Sequence, residues 1–443
     1  MKKITLLFAT IFVAVNMWAA DPTWTRVWEN SATLGTNPAY IGTANSSARG
    51  MGVGTFEGEK VVVIPTREGG TFIKVLKASD GTLWKDLNVT GIATGQFVVN
   101  DAAVTNDGKI LVSNVALSAT APNNLFKVYR WDNSTDAPTV AISFTIQTGF
   151  LYRLGDQITV KGSISDGSCK VYAMSTALVA TKATVFRFDM VPDGNGGFVF
   201  NNTPTIITDQ IAATGGYASV DIMGDGKYIY KYNGSNMLKL NADGTNPNPA
   251  EASSGSIVGT GGSSVRYLLN LPSVNVGQPD TAYVAYFRYG TGQERANIVK
   301  FPNSLLNSSA AAVCSYLPPL GTNSNGNGAG RVAFDDFTSN SVSTTINLYV
   351  LSTNNGIGKY LITWPKLLSS VDQASQSLKI SRSRGFLKVD GISPSSIELF
   401  NSLGQKVSSV TNSNTLNTNS LNGIYIVQVR AEGKIVKTEK ISL

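Results

Sequence analysis

Between residues 21 and 377 short apolar runs return every fifty to sixty residues, and their order within each copy is constant. A copy has a small-residue approach, a first β-prone run, a hairpin turn, a strongly apolar run, a loop, and an alternating run carrying Lys, Arg or Tyr. The strongly apolar runs are 61–64, 110–113, 170–174, 228–232, 282–287 and 346–352. Several follow Glu57-Gly58, Asp107-Gly108, Asp166-Gly167 or Asp225-Gly226, dipeptides that supply left-handed hairpin positions at little steric cost. The alternating runs are 71–75, 125–129, 184–188, 237–240, 297–301 and 358–362, with the period of half-buried strands rather than of helices.

One such unit cannot bury both of its apolar faces alone, so the copies must pack on one another. The chain is therefore expected to be all-β, with a β-propeller over residues 21–370. Six copies give six blades, and a seventh degenerate blade stays open within 246–280 or 303–330. The segment from Thr23 to Trp28 precedes the first full copy and reads as a lone outer strand. Paired with the last copy it would close the ring and leave no free edge. An elongated stack of β-sandwiches is the alternative, although its strands need not repeat one phrase.

After a linker at 371–377, residues 378–443 form a separate module of short β-prone runs broken by Gly and Asn. Two elements in it are specific: 397–407, a strand–turn–strand with Gly404, and 421–427, which reads L-x-G-x-Y through Leu421, Gly423 and Tyr425. Lys434, Lys437 and Lys440 sit in the final hairpin. The module resembles the C-terminal sorting domain of proteins exported by the type IX secretion system of Bacteroidetes. It departs from that family in opening on Leu378 and Lys379 rather than on a Pro-Asn-Pro-like start. The resemblance implies a small Ig-like β-sandwich, the type IX machinery as a partner, and a mature body that is secreted or held on the outer cell surface. At the other end Lys2 and Lys3 precede an apolar run at 4–15, so residues 1–20 read as a secretory signal peptide too short for a permanent span. No later segment reads as transmembrane, and the expected state is a monomer. The body is similar to propeller-like surface proteins that Bacteroidetes fuse to this tail, a likeness that implies no reaction.

Composition removes whole classes of chemistry. The formal charge is +7, of which the leader carries +2 and the residues from 378 onward +5, leaving the body without net charge. A neutral body lacks the electrostatic footprint of a nucleic-acid binder. The chain has no histidine, which excludes Ser-His-Asp and Cys-His catalysis and histidine-based metal sites. The two cysteines, Cys169 and Cys314, lie in or near apolar runs and read as buried thiols, with a disulfide as the alternative.

In a propeller the first strand of each blade lines the channel. The copies place Arg49, Asp101, Asp156, Asp221, Arg266 and Arg331 on or just before that strand, with Asp335 and Asp336 close by. Three readings stay open for this ring. Its members pair with each other and tie blades together, or clamp a carboxylated or hydroxyl-rich ligand, or hold Ca²⁺ through carboxylates and carbonyls. No other cofactor is expected. Tyr152 and Tyr217 stand near the starts of two copies as possible acids, and Trp84, Trp131, Trp364 and Tyr267 as possible sugar platforms, with burial as the competing role. The Gly/Asn-rich loop at 323–330 matches no phosphate-binding pattern.

The leading expectation is an exported propeller that binds a glycan or protein ligand without catalysis. A carboxylate-based glycosidase or lyase and a structural adhesion module are the alternatives. Adjacent Asp335 and Asp336 would point to opposite faces of a strand and make a poor catalytic pair.

Overall fold

The computed structural model describes residues 21–443 except 93–96, 118–122, 147–152, 177–181, 213–215, 246–250, 256–261, 263, 272–279, 291–293, 341–342, 366–377, 384 and 432–433. The signal segment, the 371–377 linker and Tyr152 lie outside the described residues. The chain forms two compact units, one ending at Pro365 and the other containing the C-terminal residues.

In the first unit strand β1 (Thr23–Ser31) stands apart from the strands that follow it. Blade one is β2 (Gly52–Phe56), β3 (Glu59–Thr66), β4 (Phe72–Lys77) and β5 (Leu83–Asp86). Blade two is β6 (Asp101–Val104), β7 (Ile110–Ser113), β8 (Leu125–Trp131) and β9 (Thr139–Thr145). Blade three has β10 (Ile158–Lys161), β11 (Lys170–Thr176), β12 (Lys182–Pro192), β13 (Phe198–Phe200) and β14 (Thr205–Ala212), the last two both pairing with β12. Blade four is β15 (Ser219–Ile222), β16 (Tyr228–Lys231) and β17 (Leu238–Leu240). Blade five is β18 (Val265–Leu271), β19 (Thr281–Arg288), β20 (Arg295–Pro302) and β21 (Ala312–Tyr316). Blade six is β22 (Gly330–Ser339), β23 (Ser343–Ser352) and β24 (Gly356–Pro365). Its fourth strand is β1, antiparallel to β24 with Trp24 opposite Ile362. The inner strands β2, β6, β10, β15, β18 and β22 touch in cyclic order, and β22 returns to β2. The first unit is a closed six-bladed β-propeller. Within the 303–330 window, β21 is the outer strand of blade five, not part of a seventh blade.

The apolar runs of the sequence are explained by where their side chains go. Val61, Val62, Val63 and Ile64 of β3 are all fully buried, because this strand is covered on both faces. Val61 and Val63 join Ile110, Val112 and Trp131 of blade two. Val62 and Ile64 join Tyr349 and Leu351 of blade six. Successive residues of one strand thus serve opposite interfaces, and six such cores run round the ring. Close approach of the inner strands needs small residues. A Cβ on Gly50 would lie 2.3 Å from the Asn100 carbonyl oxygen, and one on Gly52 2.8 Å from Ala103 Cα.

The second unit has a three-stranded sheet, β25 (Lys379–Ser383), β26 (Phe386–Asp390) and β29 (Thr415–Asn417). Its other sheet is β27 (Ser396–Phe400), β28 (Lys406–Thr411), β30 (Ile424–Ala431) and β31 (Lys434–Ser442), in the order β28-β27-β30-β31. Leu387, Val389 and Leu416 of the first sheet meet Ile397, Leu399, Val427 and Val429 of the second in one core, so the tail is a β-sandwich. Gly404 takes φ +77 in the β27–β28 turn, where Asn401 Oδ1 accepts the amides of Leu403 and Gln405.

Candidate functional site at the channel mouth

The chain enters every blade through its inner strand, so the starts of these strands gather at one end of the channel. Four of the seven candidate residues form a buried network there. Arg331 of blade six lies 3.0 Å from the Asp101 carboxylate of blade two. It also donates to Gln157 Oε1 at 2.5 Å, the Ile158 carbonyl at 2.6 Å and the Met51 carbonyl at 3.4 Å. Asp101 accepts the amides of Met51, at 3.0 Å, and Ile158, at 2.7 Å. These two side chains therefore bond the backbone of blades one and three. Arg266 donates to the carbonyls of Val220, Val265 and Ile158. Asp221 accepts the amides of Tyr267 and Ile222, with Lys161 Nζ 3.5 Å away. A channel cavity of about 130 Å³ lies against Lys161, Asp221, Arg266, Arg331 and Phe334. Burial, and then the charge of Arg266, bring the Arg331 guanidinium down to about 9, while Asp101 opposes the shift.

Arg49 and Asp156 belong to a second group. Arg49, in the approach to β2, is 3% exposed, and its Nε and Nη1 find no partner among the described residues. Its guanidinium carbon lies 4.7 Å from the Tyr217 ring centre and 5.2 Å from that of Phe97. Arg153, in the approach to β10, contacts the same rings at 4.5 and 5.5 Å. Arg67, in the β3–β4 hairpin, stands 4.4 Å from Phe97. Arg153 is matched by Asp156, whose two oxygens take its Nε at 2.5 Å and Nη2 at 2.6 Å. Asp156 also accepts the Tyr217 amide at 3.0 Å, and the Tyr217 hydroxyl donates to Asn327 Oδ1 at 2.8 Å. Phe97 and Tyr217 adopt φ +59 and +60, a left-handed backbone that non-glycine residues take at a cost and that recurs at functional sites. Burial first, then its neighbours Arg49 and Arg153, lower Arg67 to about 10. Burial likewise lowers Arg49, with Asp156 opposing.

Asp335 is four residues beyond Arg331 on β22, about 13 Å along the strand, away from both groups. It accepts the Tyr349 hydroxyl at 3.3 Å, while Asp336, at φ +51 in a β-bulge, pairs with Lys60. Trp131 and Trp364 are both 1% exposed and belong to interblade cores. Trp84 and Tyr267 are half-buried beside the same kind of core. Cys169 and Cys314 are free thiols, and burial pushes both up to about 12. Among the described residues no group of three or more acidic or thiol ligands is placed to hold a metal. No helix among them is long and apolar enough to cross a membrane.

The 323–330 loop reaches the same end of the channel through asparagines. Asn354 accepts the Ser46 amide and donates to the Ser324 carbonyl, and Asn355 accepts the Asn323 amide. Asn325 donates to Glu294 at 3.2 Å, and Ser352 does so at 3.4 Å. Burial raises this carboxyl to about 7. Between its usual 4.5 and about 7 the native state keeps a proton that the unfolded chain has released. The associated stability is complete below pH 4.5 and is lost as pH rises through about 7, on the order of 3 kcal/mol. Glu294→Gln should therefore flatten the stability profile across that window, measured by urea unfolding; an unchanged slope would remove Glu294 from the account.

Arg67, Phe97, Arg153 and Asn327 were not among the sequence candidates. Phe97, Arg153 and Asn327 lie three to five residues ahead of an inner strand, an offset that could have drawn attention to Phe97 and Arg153, whereas Asn327 carries no comparable residue-type signal.

Fold and mouth together define the class: a closed propeller with an arginine- and aromatic-lined channel mouth, joined to a β-sandwich tail. The chain belongs to the DUF4623 family, described as a domain of unknown function, whose model matches residues 7–270. Residues 374–443 match the Secretion system C-terminal sorting domain. This type IX tail marks the chain for the secretion machinery and for the cell exterior, secreted or on the outer surface. No curated protein matches the chain. Among solved structures, it is similar to the α-L-arabinofuranosidase Arb93A from Fusarium graminearum, at 11% identity over 76% of this chain and 97% of that one, TM-score 0.45. It is also similar to an α-L-arabinanase from Penicillium chrysogenum, at 10% identity over 76% and 98%, TM-score 0.46. Neither likeness transfers a residue or a reaction.

Proposed function

We propose that this exported propeller binds a saccharide, and that its seat is the mouth group around Arg49. The carrying observation is convergence. Blades one, two, three, four and six supply Arg49 and Arg67, Phe97, Arg153 and Asp156, Tyr217, and Asn327 to one cluster. Flat rings offer faces for sugar C–H groups, and guanidinium forks offer donors to oxygens; few other ligands need both at once. On this reading Asp101, Asp221, Arg266 and Arg331 serve as blade ties, Arg49 keeps the ligand role, Asp156 orients Arg153 and Tyr217 beside it, and Asp335 stands apart.

The test is a glycan array probed with the full chain, with and without Ca²⁺, beside Tyr217→Ala. Saturable binding weakened by roughly tenfold or more in the variant is expected, since a lost ring and hydroxyl contact is worth about 1 to 3 kcal/mol. Binding that survives Tyr217→Ala would move the ligand elsewhere, and a strict need for Ca²⁺ would restore the cation reading. A hydrolytic second reading draws on Glu294 alone, a buried carboxyl raised to about 7 near the same loop, as a general acid requires. Turnover of an aryl glycoside, abolished by Glu294→Gln, would replace the binding function with catalysis.

A further inference from the structure

We propose that the saccharide is an acidic one, its carboxylate or sulfate group held on the positive cluster of Arg49, Arg67 and Arg153, whose charge Asp156 offsets only in part; this rests on the saccharide-binding reading above. Charge matching favours an anion. All three guanidinium carbons lie within 5.5 Å of the Phe97 ring centre, yet among the described residues one carboxylate, Asp156, is bonded into the group. It is committed to Arg153 through both oxygens. Glu68, adjacent in sequence to Arg67, is turned to Asn45 and Ser47 instead. Arg67 donates to the Ser46 carbonyl, but its Nε has no partner. Arg49 adds two more unsatisfied N–H donors at 3% exposure.

A buried cation is ordinarily matched by an anion, because burial removes the water that would otherwise stabilise it. Ring faces supply part of that stabilisation and cannot supply the whole. Hydroxyls of a neutral sugar would satisfy the orphaned donors but leave the clustered positive charge. An oxoanion does both, and its planar or tetrahedral oxygens suit guanidinium forks. Arg67, Arg153, Phe97 and Tyr217 are half-buried, and Arg49, in contact with both rings, is buried.

The experiment is a calorimetric titration of the full chain with three probes of equal length. They are a uronate oligosaccharide, its carboxyl-reduced neutral counterpart, and a sulfated oligosaccharide, each at low and high salt. Binding of at least one acidic probe about 10- to 100-fold tighter than the neutral one is expected, the range for a charge-assisted contact. The preference should shrink at high salt and collapse toward unity in Arg49→Gln. Arg67→Gln, at a half-buried position, gives the same readout should the Arg49 variant fail to fold. The acidic probe that binds identifies carboxylate or sulfate as the group held. Equal binding of acidic and neutral probes, unchanged in Arg67→Gln, would overturn the charge inference while leaving the saccharide seat intact. Absence of binding by every probe would instead remove the seat and the inference together.

Discussion

Arg331→Leu should lower the unfolding free energy of the propeller by about 3 to 5 kcal/mol, the cost of leaving a buried charge without its partner. Asp101 is fully buried and Arg331 is 2% exposed, so water cannot take over either role. The substitution also strips donors from Gln157 Oε1 and from the Ile158 and Met51 carbonyls, which belong to blades three and one. Adding Asp101→Asn to Arg331→Leu removes the orphaned charge. The double variant should therefore lose less than the two single losses added together. All tryptophans of the described residues lie in the propeller unit, the last being Trp364, so their fluorescence in a urea titration reports this unit alone. A loss below about 1 kcal/mol would mean that the network contributes no more than a surface ion pair.

Trp28→Ala attacks the closure of the ring and should cost about 3 to 5 kcal/mol, as large buried aromatics do. Trp28 is 9% exposed, donates its indole N–H to the Ala78 carbonyl at 3.1 Å, and packs edge-on against Tyr349 at 6.3 Å. It sits on β1 where that strand bulges, and it bridges the last blade to the first. Gly81 completes the seat, since a Cβ there would lie 2.7 Å from the indole. Without the indole, β1 should fray and leave the β24 edge open to pairing with other chains. Hydrogen exchange at Lys359–Leu361 should accelerate before the rest of the unit. Protection of those amides equal to that in the unchanged protein would separate Trp28 from ring closure.

The architecture was readable because its signals are local. Each blade announces itself through a strand period of two, a Gly turn and an uninterrupted apolar run, all within sixty residues. The β1 run was legible for the same reason, as were the Gly404 and Gly423 turns of the tail. Function was legible only in outline. Arg49 and Asp156 were found by their offset from an inner strand. So were Asp101 and Arg331, which the fold joins to each other and to backbone groups. Tyr217 was noticed for its hydroxyl, whereas its ring face proved the more telling feature. Arg67 carries no offset signal because it reaches the mouth from a hairpin between β3 and β4.

Period and turn chemistry, which act between neighbours along the chain, therefore specified six blades, a closing strand and a sorting tail. Apart from the local Arg153–Asp156 pair, which charges cancel was settled only when residues distant in sequence met at one end of a channel. Arg331 and Asp101 are 230 positions apart in the chain and 3.0 Å apart in space. Arg49 met two aromatic rings and, among the described residues, no carboxylate partner. Burial sets the worth of each such meeting, and burial is a property of the closed ring rather than of any one blade.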